Sequence, residues 1–183
     1  MENNRVCPVE RSGGLDTTFR RWLQDPQKIL HPYVKEGMTV VDFGCGPGFF
    51  TVDMAHMVGG SGRVIAVDLQ EGMLQKLREK IQGTELEERI MLHKCEEDNI
   101  GIAEQVDFIL AFYVVHEVPR QDMFFKKVQA SLKTNGLMLV VEPPFHVSAK
   151  VFRQEVEKAR EAGLTACERP KVLFSKTVIL KKS

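Results

Sequence analysis

The chain has 183 residues, 43% of them hydrophobic and 27% charged, with 25 Lys plus Arg against 25 Asp plus Glu. That length supports one domain with a buried core and needs no disulfide or metal, and the balanced charge supplies no overall field to gather nucleic acid, a membrane surface or an acidic partner. Cys7, Cys45, Cys95 and Cys167 stand far apart with no CxxC pair, which argues against a zinc site or a disulfide framework and for a reducing, cytoplasmic setting with no metal.

The first fourteen residues, "MENNRVCPVERSGG", are polar and end in Gly13-Gly14. They lack the apolar region of an export signal, and no stretch of the chain approaches the roughly 18 to 20 apolar residues of a spanning helix, so neither export nor stable membrane insertion is expected. Residues 1–14 are expected to be mobile or ordered only by a ligand. In "LDTTFRRWLQDPQKILHPYV" the apolar residues Phe19, Leu23, Ile29 and Leu30 are interrupted by Pro26 and Pro32. The pattern predicts two short helices, with Asp25 capping the second and Pro26 in its first turn.

From Met38 onward, short β-rich runs alternate with helical stretches. Strands are predicted at Val40 to Phe43, Val64 to Val67, Ile90 to His93, Phe108 to Phe112 and Leu137 to Val141. Helices are predicted from about Phe49 to Met57, from Gly72 to Ile81 and around Phe124 to Leu132, the last closed by "KTNG" as a cap and turn. Phe152, Val156 and Ala159 mark a further helix ended by Gly163, and "LTAC" and "KTVILKK" supply two final strands. Alternation of strand and helix implies parallel crossovers and a doubly wound α/β sheet, and the last two strands, with no helix between them, imply one antiparallel member.

Open α/β sheets bind ligands at the carboxyl ends of their strands. After the first strand come Gly44, Gly46 and Gly48, and Asp68 closes the second strand 20 residues beyond Gly48. Gly44 and Gly46 permit a tight turn with bare backbone against a ligand, and Gly48 allows the helix that follows to pack closely. A carboxylate at position 68 suits a ribose diol, because it accepts from two hydroxyls at once. Glycines, strand context and acidic residue together indicate a nucleoside-bearing cofactor. The dinucleotide fingerprint G-x-G-x-x-G requires glycine at position 49, which is Phe49, and Pro47 removes a backbone donor that a pyrophosphate would use.

"VVDFGCGPGFFT" resembles the first motif of class I S-adenosylmethionine-dependent methyltransferases, and "VIAVDLQEGML" the second. "VDFILAFYVVHEVP" and "LKTNGLMLVVEPPFHVS" are similar to the motifs of the fourth and fifth strands in that family, so the resemblance covers roughly residues 20 to 181. Within the family the chain looks most like the small-molecule branch that includes the ubiquinone/menaquinone-biosynthesis C-methyltransferases and the arsenite methyltransferases. The resemblance implies a Rossmann-like sheet of seven strands, mostly parallel with the last antiparallel. It implies S-adenosylmethionine as cofactor, its methionine moiety near Asp42, Gly44, Cys45 and Gly46, with Gly48 completing the loop. The ribose would lie on Asp68, the adenine against Leu69 with the Cys95-Glu96 turn at its edge, and Ala111 among the contacts from the fourth strand. The family often has Asp after the third strand, whereas this chain reads "HKCEED", so Glu96, Glu97 and Asp98 all stand as candidates for the adenine amino group.

A sulfonium is already an activated electrophile, so methyl transfer needs in-line positioning and exclusion of water, with a base only where the acceptor carries a proton of high pKa. His116 and Glu117 follow the fourth strand and are the candidate catalytic residues; the alternative is a turn whose imidazole caps backbone. Tyr113, Glu142 and His146 border the cleft as structural or substrate-shaping groups, and His31, His56 and His93 are expected to be packed or exposed without a role. Phe19, Arg20, Arg21 and Trp22 precede the first strand where the family places a lid helix. Aromatic rings there would attract a sulfonium by about 0.5 to 2 kcal/mol; packing on the sheet edge is the alternative.

The expected organisation is one methyltransferase domain over 1–183, with 15–37 as a helical lid and 38–183 as the catalytic core. It is expected to methylate a small apolar or aromatic acceptor, to bind no nucleic acid, and to have an acceptor pocket either open or completed by a second copy in a homodimer. Two other readings stand beside it: a nicotinamide-dependent oxidoreductase, and a non-catalytic cofactor-binding or partner protein.

Overall fold

The computed structural model describes residues 18–96 and 100–182. They form a seven-stranded sheet in the order β3-β2-β1-β4-β5-β7-β6. The strands are β1 (Thr39–Phe43), β2 (Arg63–Asp68), β3 (Ile90–Lys94), β4 (Val106–Phe112), β5 (Leu132–Glu142), β6 (Leu164–Glu168) and β7 (Lys176–Lys182). The order reverses between β1 and β4, both parallel to each other, with Val41 opposite Ile65 on one side and Ile109 on the other. β7 alone runs antiparallel to its neighbours β5 and β6, as the close succession of the last two strands predicts.

Among the described residues six α-helices accompany the sheet: α1 (Thr18–Leu23), α2 (Pro26–Leu30), α3 (Thr51–Val58), α4 (Glu71–Ile81), α5 (Gln121–Ser131) and α6 (Ala149–Glu161). Alternation along the strands divides the core in two. Val40, Val64 and Phe108 face α2, α3 and α4, where Leu30, Met54, Leu74 and Leu77 are buried. Val41, Ile65 and Ile109 face α5 and α6, where Phe124, Phe125, Phe152 and Val156 are buried. Each such side chain contributes about 1.5 to 3 kcal/mol when fully removed from water, so these faces fix the register that brings the strand ends together.

Local chemistry sets the ends of several elements. Asp25 caps α2 by accepting from the amides of Gln27 and Lys28, with Pro26 in the first turn. Ser148 caps α6, and Gly163, at φ 90°, ends it. α3 starts at Thr51 rather than Phe49, because Phe49 and Phe50 turn inward as an edge-to-face pair.

"KTNG" departs from the predicted cap. α5 stops at Ser131, and Lys133 to Gly136 form an irregular stretch inside a longer β5, with Asn135 at φ 65°. The register between β4 and β5 jumps there, from Val106 opposite Leu132 to Phe108 opposite Leu137. The turn-forming residues are therefore spent on a bulge, which lets Leu132 and Leu137 both face the core.

α1 and α2 are pinned to α3: Arg21 and Gln27 both bond the Asp53 carboxylate, at 2.9 and 3.0 Å. No helix among the described residues is long and apolar enough to cross a membrane. Residues 1–14, Glu97, Asp98 and the side chains of Phe19 and Trp22 lie outside the described residues, and so do the expectations placed on them.

Candidate functional site

The three glycines all have positive φ: 74° at Gly44, 53° at Gly46 and 85° at Gly48. This is the left-handed region that other residues rarely enter. Two of them are also demanded by packing within the protein. A Cβ on Gly44 would stand 2.7 Å from Val114, on the turn after β4, and a Cβ on Gly48 would stand 2.4 Å from Leu77 of α4. Close packing at Gly48 is thus with α4, not with the α3 that follows it.

The loop is tied to the end of β2. Gly44 and Cys45 donate to the Val67 carbonyl at 2.8 and 3.0 Å, and the Gly46 amide donates to Asp68 Oδ2 at 2.9 Å. Asp68 Oδ1 accepts from the Gln70 amide at 2.9 Å, and the Asp68 carbonyl accepts from the Cys95 amide at 3.0 Å. The carboxylate is 7% exposed and burial raises its pKa, yet each oxygen still has a lone pair to offer a hydroxyl donor.

Asp42, 2% exposed near the end of β1, accepts from Thr51 Oγ1 at 2.6 Å. Burial pushes it up to about 6, against the Thr51 hydrogen bond, with Asp68 adding to the rise and Arg20 opposing it. The Arg20 guanidinium lies 4.1 Å over the Phe49 ring and within 6 Å of Phe50 and Phe112. The cation over this aromatic cluster is therefore the protein's own.

Leu69 is half-buried against the α5–α6 side of the core, Cys95 is buried, Glu96 is exposed, and Ala111 is buried between Phe43 and Val140. Burial raises the Cys95 thiol to about 11 and the Cys45 thiol well above its ordinary value, with Asp68 adding to both. These are packing thiols rather than nucleophiles.

His116 lies in a 3-10 turn over Val115–Glu117, directly after β4. Its Nδ1 is 2.5 Å from Glu142 Oε2 and its backbone amide donates to Glu142 Oε1 at 3.2 Å. Glu142 is fully buried at the end of β5; a carboxylate there would accept from Nδ1–H and leave Nε2 as the basic nitrogen of the neutral ring. Burial pulls the His116 pKa down, but the hydrogen bond and charge of Glu142, with Glu117 and Glu155, outweigh it and raise it.

Burial lifts Glu117 to about 7; His116 opposes the rise, and the charges of Asp68 and Glu142 add to it. Its carboxyl thus lies within the electrostatic reach of both the β2 end and the His116 pair. Glu155 of α6, 2% exposed, is likewise raised to about 7, by burial and then by Glu142. Its Oε1 accepts from Gln121, which in turn accepts from Lys158, while Oε2 is buried without a partner.

Tyr113 occupies the position after β4 at φ 61°, rare for an aromatic residue. Its hydroxyl meets Gln24 Nε2 at 2.8 Å and Ser175 Oγ at 2.7 Å, joining α1 to the β6–β7 loop across the strand ends. His31, His56 and His146 are exposed, and His93 is half-buried with Nε2 unpartnered. Among the described residues no group of three or more His, Cys, Asp or Glu could hold a metal ion.

The structure therefore brings Asp42, Gly44, Gly46, Asp68, His116 and Glu117 together at the carboxyl ends of β1, β2 and β4. Sequence reasoning did not single out Thr51, which holds Asp42, or Glu155, and it gave Glu142 only a shaping role. The hydroxyls of a nucleoside fit the Asp68 carboxylate at the end of β2; when ionised, Asp42, Asp68 and Glu117 suit a cationic group beside it and oppose an anionic one.

Residues 34–173 match the family described as Methyltransferase domain. The demethylmenaquinone methyltransferase of Lactobacillus johnsonii is 31% identical over 110 residues, 60% of this chain and 45% of that protein. The Bacillus cereus protein of the same name is 24% identical over 123 residues, 67% of this chain and 51% of that one. The chain thus spans about half the length of the curated relatives it matches. Among solved structures, a SAM-dependent methyltransferase from Aquifex aeolicus aligns with a TM-score of 0.86 at 27% identity, covering 97% of this chain and 100% of that one.

Proposed function

This chain belongs to the methyltransferase domain family, and from that premise we propose that it transfers the methyl group of S-adenosylmethionine to a small apolar or aromatic acceptor, with hydroquinones as the leading class. The carrying observation is the sign of the charge around the glycine loop. Asp42, Asp68 and Glu117 converge there, with Asp68 raising the pKa of the other two. Carboxylates favour a sulfonium and an ammonium over the pyrophosphate of a nicotinamide dinucleotide. Phe49, buried in place of the third fingerprint glycine, supports the same choice.

When bound, S-adenosylmethionine supplies a methyl group already activated for in-line transfer. Asp68 accepts the ribose hydroxyls, and Arg20, whose charge reaches Asp42, supplies the cation at the amino-acid end. His116 takes the proton of an acceptor hydroxyl on Nε2, and Glu142, holding Nδ1–H, orients the ring and stabilises the imidazolium that forms. The link from Gln24 to Tyr113 holds α1 over the strand ends and limits water there. Buried, protonated Cys45 and Cys95 disfavour arsenite, which needs convergent thiolates.

Balanced total charge supports a small molecule rather than nucleic acid as acceptor, and the scattered cysteines support a cytoplasmic setting. A homodimer that completes the acceptor pocket is testable by sedimentation. The function itself is tested by transfer of labelled methyl groups to hydroquinones, phenols, thiols and arsenite. Label on hydroquinones or phenols and none on arsenite is expected. No label on any acceptor, with S-adenosylmethionine still bound, would favour the non-catalytic reading.

A further inference from the structure

A cavity of about 770 Å³ opens between the first turn of α6 and the loop from β6 to β7. Its wall carries Arg153, Arg169, Lys171 and Lys176 and no Asp or Glu. The side chains of Arg153 and Lys171 make no hydrogen bond or ion pair with the described residues. Lys176 Nζ donates to the Pro144 carbonyl at 3.2 Å, and the Arg169 guanidinium lies 5.7 Å from the Phe152 ring. Four cations on a wall that carries no acidic side chain, in a protein of zero formal net charge, are a local concentration of positive potential.

Apart from Ser175 and Thr177, the rest of the wall is apolar. Phe152 and Val172 are buried, while Phe174 is 80% exposed at φ 55°, an uncommon conformation for an aromatic residue. The loop is held in place: Ser175 donates its amide to the Val172 carbonyl, and its Oγ bonds the Leu173 carbonyl and the Tyr113 hydroxyl. The cavity adjoins the methyl-transfer edge through two connections. Lys176 stands opposite Glu142, the partner of His116, in the β5–β7 register, and Ser175 bonds Tyr113 at the end of β4.

We propose that this cavity receives the anionic end of the methyl acceptor, an amphiphile whose apolar or aromatic body ends in a carboxylate or phosphate. The assignment rests on the methyltransferase reading for the word acceptor, though not for the binding itself. Arg153 and Lys171 face the anion, which they pair with at no cost of breaking an existing contact. The apolar body lies against Phe152 and Val172, under Phe174.

Titration calorimetry on the full chain, saturated with S-adenosylhomocysteine, tests this. The probes are phenyl phosphate and 4-phenylbutyrate against neutral 4-phenylbutanol, with inorganic phosphate, a ten-nucleotide single-stranded RNA and phosphatidylglycerol vesicles as the other arms. Both aromatic anions should bind at least tenfold tighter than the alcohol or inorganic phosphate. The R153Q/K171Q variant should lose about tenfold in affinity for the anions and none for the alcohol. Equal binding of alcohol and anions, or an unchanged variant, would overturn the assignment. So would inorganic phosphate binding as tightly as phenyl phosphate, or a tighter response to RNA or vesicles, which would mark a bare anion site or a macromolecular surface.

Unchanged affinity of the variant for S-adenosylhomocysteine shows that it folds. If that affinity is lost, the single variants R153Q and K171Q take its place, each expected to weaken the anions about threefold, and no weakening in either counts against the cavity. Failure of the native chain to bind S-adenosylhomocysteine, with the aromatic anions still bound, would sink the methyltransferase reading and leave the anion site standing.

Discussion

The glycine-loop side and the His116 side of the strand ends are built from different materials. Around the glycine loop, cohesion is by backbone: amides of Gly44, Cys45 and Gly46 donate to the Val67 carbonyl and the Asp68 carboxylate at the end of β2, and the conformation is fixed by positive φ. Across the cleft it is by side chains from separate elements, His116 on a turn, Glu142 on β5, Gln121 on α5 and Glu155 on α6. Backbone cohesion is local and tolerates little change. A side-chain network can be altered one residue at a time, which suits a shared cofactor paired with a varied acceptor.

The largest effect expected from that contrast is catalytic. His116→Ala should lower methyl transfer about 10²- to 10⁴-fold, the usual contribution of a positioned base, while calorimetry shows affinity for S-adenosylmethionine within about twofold. Loss of both together would place His116 on the glycine-loop side and dissolve the contrast. Next in size, Gly48→Ala drives a Cβ to 2.4 Å from Leu77 at φ 85°. Urea denaturation should show about 2 to 4 kcal/mol of destabilisation, from overpacking and left-handed strain; a loss under about 0.5 kcal/mol would mean that Leu77 yields freely.

Asp68→Ala should weaken S-adenosylmethionine by about 1 to 3 kcal/mol, the loss of a charged hydrogen-bond acceptor, and unchanged affinity would refute its ribose role. Glu142→Gln should reduce transfer about tenfold and alter its pH profile. With His116 as the proposed base, activity is expected to rise as it loses its proton, and Glu142 raises the His116 pKa. The variant's acidic limb should therefore move to lower pH. A limb that stays in place would leave Glu142 with a packing role alone.

The smallest expected effect is on stability against pH. Asp42, at about 6, and Glu117 and Glu155, at about 7, bind protons more tightly folded than unfolded. Their contribution is fully present below the unfolded carboxyl pKa and fades as pH rises through 6 to 7; His116, also raised, acts in the same direction. The urea midpoint should fall between pH 5 and pH 8, and Glu155→Gln should flatten that fall. A midpoint that climbs toward pH 8 would show that these acids are better solvated than their burial indicates.

The same contrast explains what could be read from the sequence. Gly44, Gly46, Gly48 and Asp68 lie in two short stretches joined by adjacent parallel strands, so spacing alone placed them together. Why two of the glycines are obligatory was not legible, because Val114 approaches Gly44 from 70 residues away along the chain and Leu77 approaches Gly48 from 29. The bond from Thr51 to Asp42 has no sequence signal beyond a hydroxyl at the start of a helix. Glu155 sits on the apolar face of α6 beside Phe152, Val156 and Ala159, where periodicity reports the face but not that a carboxyl occupies it. At "KTNG" the turn chemistry was read correctly and the strand pairing that absorbed it was not, since a bulge depends on its partner strand.

The measurement that bears most directly on the central claim is calorimetry of the unmodified chain with S-adenosylmethionine, its demethylated product S-adenosylhomocysteine, and NADH. The acid-lined glycine loop should bind the first two and leave NADH without a response. Tight binding of NADH with no response to either adenosyl ligand would contradict it.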